Sequence, residues 1–359
     1  MEKNILVNLQ LLDKGGLMKN LKISSLFLIA VGFVFSTNPD QPDIVTKEAT
    51  AAFNFLKLET GIRAVGMAGA QVAAGVGVES VPYNPASIAK IKRSDAYISK
   101  TSLYNVGISH HVLGFGRKMT PSDFVSGHLF YLDSGLMEET TTIESDGTGG
   151  EFRVYDFALS LTYARRMTDR LNLGLTVKMI RETYTNFSMG AQATALDIGS
   201  VFDTGLWGMI LGMSVTNFGS EVKYTGESLE FDKDPITDEP IQSVTKAWPL
   251  PLTFRMGIKT DLIGKDSYYI KDPIHELTLA IDAVDPVDNL LMGNIGVEYS
   301  WNKLAYIRSG IHLNHDTAKL AMGAGLKWNI TPLVLNLDYA FVDYGDLNFT
   351  HQFGVNFKF

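Results

Sequence analysis

Charged side chains recur between apolar residues in several segments of the chain, and acids and bases placed this way could do acid–base chemistry. They are Asp156, Arg166, Lys178, Glu182, Arg255, Lys259, Asp282, Glu298 and Asp338. If they face a closed interior, they form a hydrated network of lumen charges instead, which is the arrangement we expect. The sequence has no phosphate-binding loop, nucleophile elbow or zinc-binding helix. It therefore predicts a non-enzymatic protein without a cofactor.

The histidines show no metal-binding pattern. His110 and His111 are adjacent and therefore point to opposite faces of a strand. The others have no spacing that would gather a set of ligands; they are His128, His275, His312, His315 and His351. The acidic stretch 232–239 offers oxygens for calcium, but its spacing is not that of a known loop, and we prefer ordinary solvated acidity. We expect no metal site.

The elements that carry the charges are alternating segments of about ten residues, the length that a tilted strand needs to cross a bilayer. The clearest pair is 155–163 and 171–179. Their apolar residues are Tyr155, Phe157, Leu159, Leu161 and Tyr163, then Leu171, Leu173, Leu175, Val177 and Met179. Polar or small residues stand between them, so each strand has two chemically opposite faces. The connection 167–170 is short, as periplasmic turns are.

The same alternation recurs along the chain. It appears at 209–215, 250–258, 277–281, 295–301 and 333–341, and more weakly at 95–103, 105–116, 125–132, 190–202, 303–313 and 317–328. This predicts an all-β protein, a transmembrane antiparallel β-barrel of about fourteen strands. A soluble sandwich or propeller is the alternative fold. Inward positions are mostly polar, charged or small, with Ile180 and Val334 among few exceptions.

The C-terminal strand supports the barrel. Phe353, Val355, Phe357 and Phe359 alternate with polar or small residues and would face lipid. A terminal Phe on such a strand is also what the barrel-assembly machinery recognises. We therefore assign these residues as the assembly signal and expect outer-membrane lipid and that machinery as partners.

The N-terminus carries an export signal. Lys19 and Lys22 precede the apolar run 26–35, which is too short to span a bilayer, and Ser36 offers a cleavage site. Residues 1–17 fit no export signal, so we expect Met18 to be the true start. The chain has no cysteine, which excludes lipid attachment and disulfides. We divide it into the signal at 1–36, an N-terminal segment with a plug at 37–92, and the barrel at 93–359, located in the bacterial outer membrane.

The net charge of the chain also indicates which classes of partner it can bind. The net charge of -8 disfavours nucleic acid, which favours a basic stripe. Much of the acidic excess lies in the long segments 133–151 and 219–247. We expect both to be extracellular loops.

Residues 53–92 break the alternation. The segment is rich in Gly and Ala, and Asn84 can cap a helical turn that begins at Pro85. Small residues suit a plug or hatch inside the lumen, where bulk would clash with the wall. A disordered periplasmic tail is the alternative.

The stretch 55–70, Phe-Leu-Lys-Leu-Glu-Thr-Gly-Ile-Arg-Ala-Val-Gly-Met-Ala-Gly-Ala, followed by Tyr83-Asn84-Pro85-Ala86, resembles the N-terminal signature of the PorV/PorQ family. Further similarities run to the closing Asp343-Tyr344-Gly345-Asp346. The resemblance assigns Phe55, Gly61, Arg63, Gly66, Met67, Gly69, Tyr83, Asn84 and Pro85 to the plug. Tyr83 stands where the family has Trp, and Ser87 where it has Gly.

The resemblance implies a fourteen-stranded barrel of FadL-like architecture. Relatives that look like PorV serve type IX secretion, holding exported cargo or the translocon, and this is the function we expect first. The alternative is a FadL-like transporter that passes hydrophobic small molecules through an apolar lumen or lateral gap. The lining of the lumen separates the two, and the predicted polar lining favours the first.

Overall fold

The computed structural model describes residues 50–141, 143–186, 188–226, 232–233, 240–241 and 245–359. The predicted export signal and the proposed start at Met18 lie outside the described residues. The described chain forms a closed antiparallel barrel of fourteen strands in which each strand is hydrogen-bonded to both neighbours. The strands are β1 (Ser94–Leu103), β2 (Ile108–Lys118), β3 (Asp123–Asp133), β4 (Val154–Arg166), β5 (Leu171–Tyr184), β6 (Met189–Asp203), β7 (Ile210–Gly219), β8 (Thr253–Gly264), β9 (His275–Pro286), β10 (Met292–Trp301), β11 (Ala305–Leu313), β12 (Leu320–Ile330), β13 (Leu333–Asp343) and β14 (Phe349–Lys358).

The alternation of the sequence becomes the two faces of the wall. On β4 the side chain of Leu161 is 68% exposed on the outer surface, whereas that of Thr162 next to it is fully buried inside. On β14 Phe353 is 61% exposed, while Gln352 and Asn356 are buried. Apolar side chains outside and polar ones inside are the pattern of barrels that span the bacterial outer membrane. The predicted fold and location are confirmed.

The barrel closes between its first and last strands. Ser94 and Phe359 exchange backbone hydrogen bonds of 2.9 and 3.1 Å, and the register continues from Asp95 opposite Lys358 to Ser102 opposite His351. Both ends of the barrel chain therefore lie at one rim. The short turn 167–170 lies at this rim and the long loops 134–153 and 220–252 at the other, so the first rim faces the periplasm.

The loops contain short strand pairs and a 3₁₀ turn. Met137–Glu138 pairs with Glu151–Phe152, Asp232–Lys233 with Pro240–Ile241, Thr225–Gly226 with β6, and Ile270–Lys271 with β8. A single 3₁₀ turn, Gly345–Leu347, precedes β14. No helix in the described part of the chain has the length and apolar character needed to cross a membrane.

One predicted strand begins later than expected. The alternation predicts a strand from Leu250, but β8 starts at Thr253. Leu250 is 3% exposed and lies inside the barrel, beside Gly219. Nearby, Val222 and Trp248 form an isolated antiparallel bridge that joins the two ends of loop 220–252.

The plug precedes β1. It contains the 3₁₀ helix Asn54–Lys57, the α-helix Ile62–Val65, and the 3₁₀ helices Val78–Ser80 and Pro85–Lys90. The predicted cap is present, since the Asn84 side chain accepts a hydrogen bond of 3.0 Å from the Ala86 N–H. Most plug residues are buried, Ile62, Met67 and Ile88 completely. This segment fills the inside of the barrel.

Candidate functional site

The plug is fitted to the wall through glycines. Inward positions on strands around the barrel are glycine where the plug comes closest; they are Gly114, Gly116, Gly174, Gly199, Gly212, Gly257, Gly296, Gly310, Gly323 and Gly354. A Cβ at Gly296 would lie 2.5 Å from the Met67 carbonyl oxygen. A Cβ at Gly116 would lie 2.6 Å from side-chain atoms of Val78 and Ile88. At these positions the wall leaves room for the plug because it lacks side chains.

Polar contacts complement the glycines. Asp282 of β9 accepts hydrogen bonds of 2.7 and 2.8 Å from the backbone N–H groups of Gln71 and Val72. Asp95 of β1 accepts one of 3.1 Å from the N–H of Val78. Charged acceptors make the stronger class of hydrogen bond. These carboxylates thus hold the plug backbone from opposite directions.

Further contacts fix the second half of the plug. Ser214 of β7 donates to the Tyr83 carbonyl oxygen at 2.7 Å. Asn84, besides capping its helix, donates to the carbonyl oxygens of Val72 and Ser200 at 2.8 and 2.9 Å. Arg166 was predicted to point inward, but it is exposed at the periplasmic rim. There its guanidinium donates a hydrogen bond of 3.0 Å to the Ala89 carbonyl oxygen. The plug is seated from several sides.

An ion network joins plug and wall. Arg63 of the plug contacts Glu298 of β10, and Arg308 of β11 contacts both Glu298 and Asp338 of β13 at 2.6 Å. All these side chains are at most 14% exposed. Their charges alternate, which offsets the cost of removing them from water. The predicted lumen charges Glu298 and Asp338 therefore meet the predicted plug residue Arg63.

A cavity of about 110 Å³ lies beside this network, toward the periplasmic ends of β11–β14. Glu79 of the plug and Lys358 of β14 line it together with the ion network. Burial, with repulsion from Asp338 next, raises the pKa of Glu79 to about 7. The cavity is polar, so it suits water and ions better than an apolar solute.

The remaining predicted plug residues are buried in the barrel or allow turns of the plug backbone. Phe55 is 6% exposed, and Tyr83 is 5% exposed beneath the guanidinium of Arg255, whose carbon is 5.8 Å from the ring centre. Gly61 and Gly69 have φ angles of +82° and +73°, which favour glycine. Gly66 packs against Gly323 of β12.

Lys178, Asp156 and Glu182, the other predicted lumen charges, lie away from the ion network. Lys178 pairs with Asp197 at 2.8 Å and donates to Asn217 at 2.8 Å, where the β6–β7 register shifts. Asp156 stands directly opposite Glu182 on neighbouring strands. Tyr224 of the long loop donates to Glu182 at 3.1 Å. In the described residues no cluster of three or more acidic, histidine or cysteine side chains could hold a metal.

In the extracellular half of the lumen, four large apolar side chains interrupt the expected polar lining, and of these Ile180 was an expected exception. Val112, Phe130, Leu132 and Ile180 point inward and are each at most 9% exposed. They belong to one large apolar cluster that also contains Ala52, Phe53, Phe55, Val222 and Leu250 and that continues to Ile88 and Phe124 in the periplasmic half. We call the part of this cluster that fills the extracellular half the upper chamber.

The sequence did not predict this chamber, because the alternation in the strands that line it is weak. β3 is apolar on both faces, with Phe124, Phe130 and Leu132 inside and Leu129 outside, so alternation does not reveal its inner face. The continuous run Leu-Phe-Tyr-Leu at 129–132 was the available signal, because a strand buried on both sides loses alternation. His110 and His128 point into the same region and are 1% and 2% exposed.

No protein-family model matches the chain. No curated protein matches it either. Solved structures do match: the CymD monoaromatic hydrocarbon channel has a TM-score of 0.52 and 10% identity, over 83% of this chain and 96% of that one. The Pseudomonas putida toluene transporter TodX also has a TM-score of 0.52 and 10% identity, over 83% and 97% of the two chains. At such identity the likeness establishes the fold. The barrel has the FadL-like architecture, whereas nothing in the comparisons supports membership of the PorV/PorQ family.

Proposed function

We propose that this protein is an outer-membrane channel for small apolar molecules. The observation that carries the proposal is the upper chamber, where apolar and aromatic side chains of the wall face the inside of the barrel. Ligand sites are typically lined by mostly apolar side chains with a few polar groups. The upper chamber has this composition, with Val112, Phe130 and Ile180 as apolar side chains and His110 and Asp156 as polar groups.

The position of the chamber supports uptake from outside. It lies in the extracellular half, under the Val222–Trp248 bridge and the inward-folded Leu250. Most of the plug lies between the chamber and the periplasm, while its first residues, Ala52, Phe53 and Phe55, pack inside the chamber. A solute that enters the chamber therefore displaces these residues first. The shared fold with channels described as carrying monoaromatic hydrocarbons agrees with this proposal.

Uptake of 1,4-dimethylbenzene tests the proposal. Cells that lack the gene and cells that express it are compared for the initial rate of uptake at equal protein in the outer membrane. We expect expression to raise the rate and Phe130→Ala to lower it. Leu129→Ala is the matched control, because Leu129 is the adjacent residue of the same strand and points outward. Equal rates with and without the protein would refute the channel.

A second candidate is the secretion accessory role that the PorV/PorQ resemblance implies. The seated plug favours it, because Asp95, Ser214 and Asp282 hold the plug from different strands and the lumen is closed. In this role the loops or rim would bind exported cargo or a translocon. An affinity pull-down from native outer membranes tests it, with mass spectrometry of the proteins retained after mild detergent extraction. Retention of a translocon barrel, or of exported proteins that share a C-terminal domain, would favour this role over the channel.

A further inference from the structure

One row of inward side chains crosses the wall of the upper chamber in a single register. His110 on β2 is opposite Leu132 on β3, Leu132 is opposite Asp156 on β4, and Asp156 is opposite Glu182 on β5. Neighbouring strands lie about 4.8 Å apart, so roughly 10 Å separates the backbones of His110 and Asp156. Leu132 lies between them. The row therefore has an apolar middle and a polar group on either side.

Two residues of this row, His110 and Asp156, have buried polar atoms without a hydrogen-bond partner. His110 is 1% exposed, and neither of its ring nitrogens has a hydrogen-bond partner. Asp156 is 7% exposed, and its Oδ1 atom has no hydrogen-bond partner. Glu182, in contrast, accepts from Tyr224. Buried polar atoms in native proteins are nearly always hydrogen-bonded, so the two free ring nitrogens of His110 and the free Oδ1 of Asp156 indicate a place for a further molecule.

Aromatic rings stand beside the row. The ring of Phe130 is nearly parallel to those of His110 and His128, at 11° and 19°, with centroids 6.4 and 6.0 Å apart. These three rings line β2 and β3 on the inner face. Their faces and edges favour contact with another aromatic ring, because ring pairs prefer offset-stacked or edge-to-face geometry.

We propose that the row binds a single aromatic ring that carries a neutral hydroxyl group, and that such phenols are the preferred solutes of the channel. The inference rests on the proposed function. A phenolic hydroxyl donates a hydrogen bond to Asp156 and accepts one from a ring N–H of His110. An aromatic hydrocarbon leaves both side chains unpaired, and a site built for a hydroxyl discriminates against the analogue that lacks it. An aromatic carboxylate would bring a full charge into this buried, largely apolar region, which costs more free energy than a neutral hydroxyl group does.

The row is covered in this structure. Plug residues Ala52, Phe53 and Phe55 and loop residues Val222 and Leu250 pack in the same apolar cluster. A bound phenol takes the place of part of this cover. Phe53 and Phe55, which are 1% and 6% exposed, supply the aromatic rings of this cover.

Three toluenes that differ only in the group at the 4-position test the proposal: 4-methylphenol, 1,4-dimethylbenzene and 4-methylbenzoate. Each is titrated by calorimetry into the purified full chain in detergent. We expect the phenol to bind at least about tenfold more tightly than the hydrocarbon, and the benzoate to bind most weakly. His110→Phe should remove most of the preference for the phenol. His111→Phe is the matched control, because the adjacent His111 points to the outer surface.

The outcomes separate this inference from the proposed function. If none of the probes binds, the channel for small apolar molecules is wrong and the inference falls with it. If the hydrocarbon binds as tightly as the phenol, the channel stands and the assignment of phenols is wrong. Asp156→Leu gives an independent readout should His110→Phe not fold: the preference for 4-methylphenol over 1,4-dimethylbenzene should fall, and an unchanged preference would contradict the role of Asp156.

Discussion

Arg63 of the plug and Glu298 of the wall form a forked ion pair, with Nη2 2.8 Å from Oε1 and Nε 3.0 Å from Oε2. The residues are 235 positions apart in the chain. Arg63 also donates to the Gln71 side chain at 2.6 Å and to the Ala74 carbonyl oxygen at 2.9 Å. One guanidinium thus organises the plug internally and attaches it to β10.

Removing one side of this pair should weaken the seated plug. We expect Arg63→Ala to lower the free energy of unfolding by roughly 1.5–3 kcal/mol, because Arg308 still neutralises Glu298. Glu298→Ala should cost more, about 3–5 kcal/mol, because it leaves two buried guanidinium groups with less compensation. Arg153→Ala is the control: its ion pair with Asp133 is 3.3 Å long and about one-third exposed, so the loss should stay below about 1 kcal/mol. Denaturant unfolding measures the free energy of unfolding of all three variants. Equal losses in the three variants would contradict a stabilising role of the buried Arg63–Glu298 pair.

A side chain at a glycine of the wall should unseat the plug. In Gly310→Val the added Cβ would overlap the Met67 backbone, and overpacking of this kind costs about 1–3 kcal/mol or more. We expect the barrel to assemble with a displaced plug and to conduct ions in planar bilayers more strongly than the wild type. Gly127→Val is the matched control, since Gly127 lies on the outer face with its nearest neighbour 3.6 Å away. Unchanged conductance of Gly310→Val would contradict the tight fit.

Seating of the plug should depend on pH through Glu79. Its carboxyl group faces Arg63, Arg308 and Lys358 as well as Asp338, and burial raises its pKa from 4.5 to about 7. A raised pKa means that the seated state holds the proton more tightly than the unfolded state. The seated plug therefore loses stability as the pH rises from about 4.5 through about 7.

Glu79→Gln removes this titration. The stability of the variant should be flat across that pH range, similar to the wild type in acid and higher than the wild type above neutral pH. Hydrogen exchange of plug amides between pH 5 and 8, corrected for the intrinsic pH dependence of exchange, measures the effect. A wild-type profile that matches the variant would rule out this role of Glu79.

The terminal aromatic residue should act in assembly as well as in closure. Phe359→Ala keeps the two backbone hydrogen bonds to Ser94 and removes only the ring. If the ring is part of the assembly signal, the variant should accumulate less folded barrel in cells, whereas the little that folds should unfold like the wild type. Heat-modifiable migration on gels gives the folded fraction. Refolding from urea into detergent, without the assembly machinery, is the control and should proceed normally.

Strands were predictable where the two faces differ in chemistry. The alternation at 155–163 and 171–179 predicted β4 and β5 because side chains of a strand alternate with a period of two, whatever the rest of the chain does. The Asn84–Pro85 cap was equally local. In β3 the same rule gave little, since Phe130 inside and Leu129 outside are both apolar. The upper chamber therefore became visible only after the chain had folded.

By itself the sequence determined which segments become strands, how many there are, and that a small-residue segment precedes them, because each of these depends on neighbours within about ten residues. Only the tertiary structure decided that Arg63 meets Glu298, that Gly310 faces Met67, and that His110, Leu132, Asp156 and Glu182 share one row. The physical reason is that these contacts depend on the register of strand pairs, the closure of the barrel and the path of the plug through it. None of these three features can be read from a local pattern of residues.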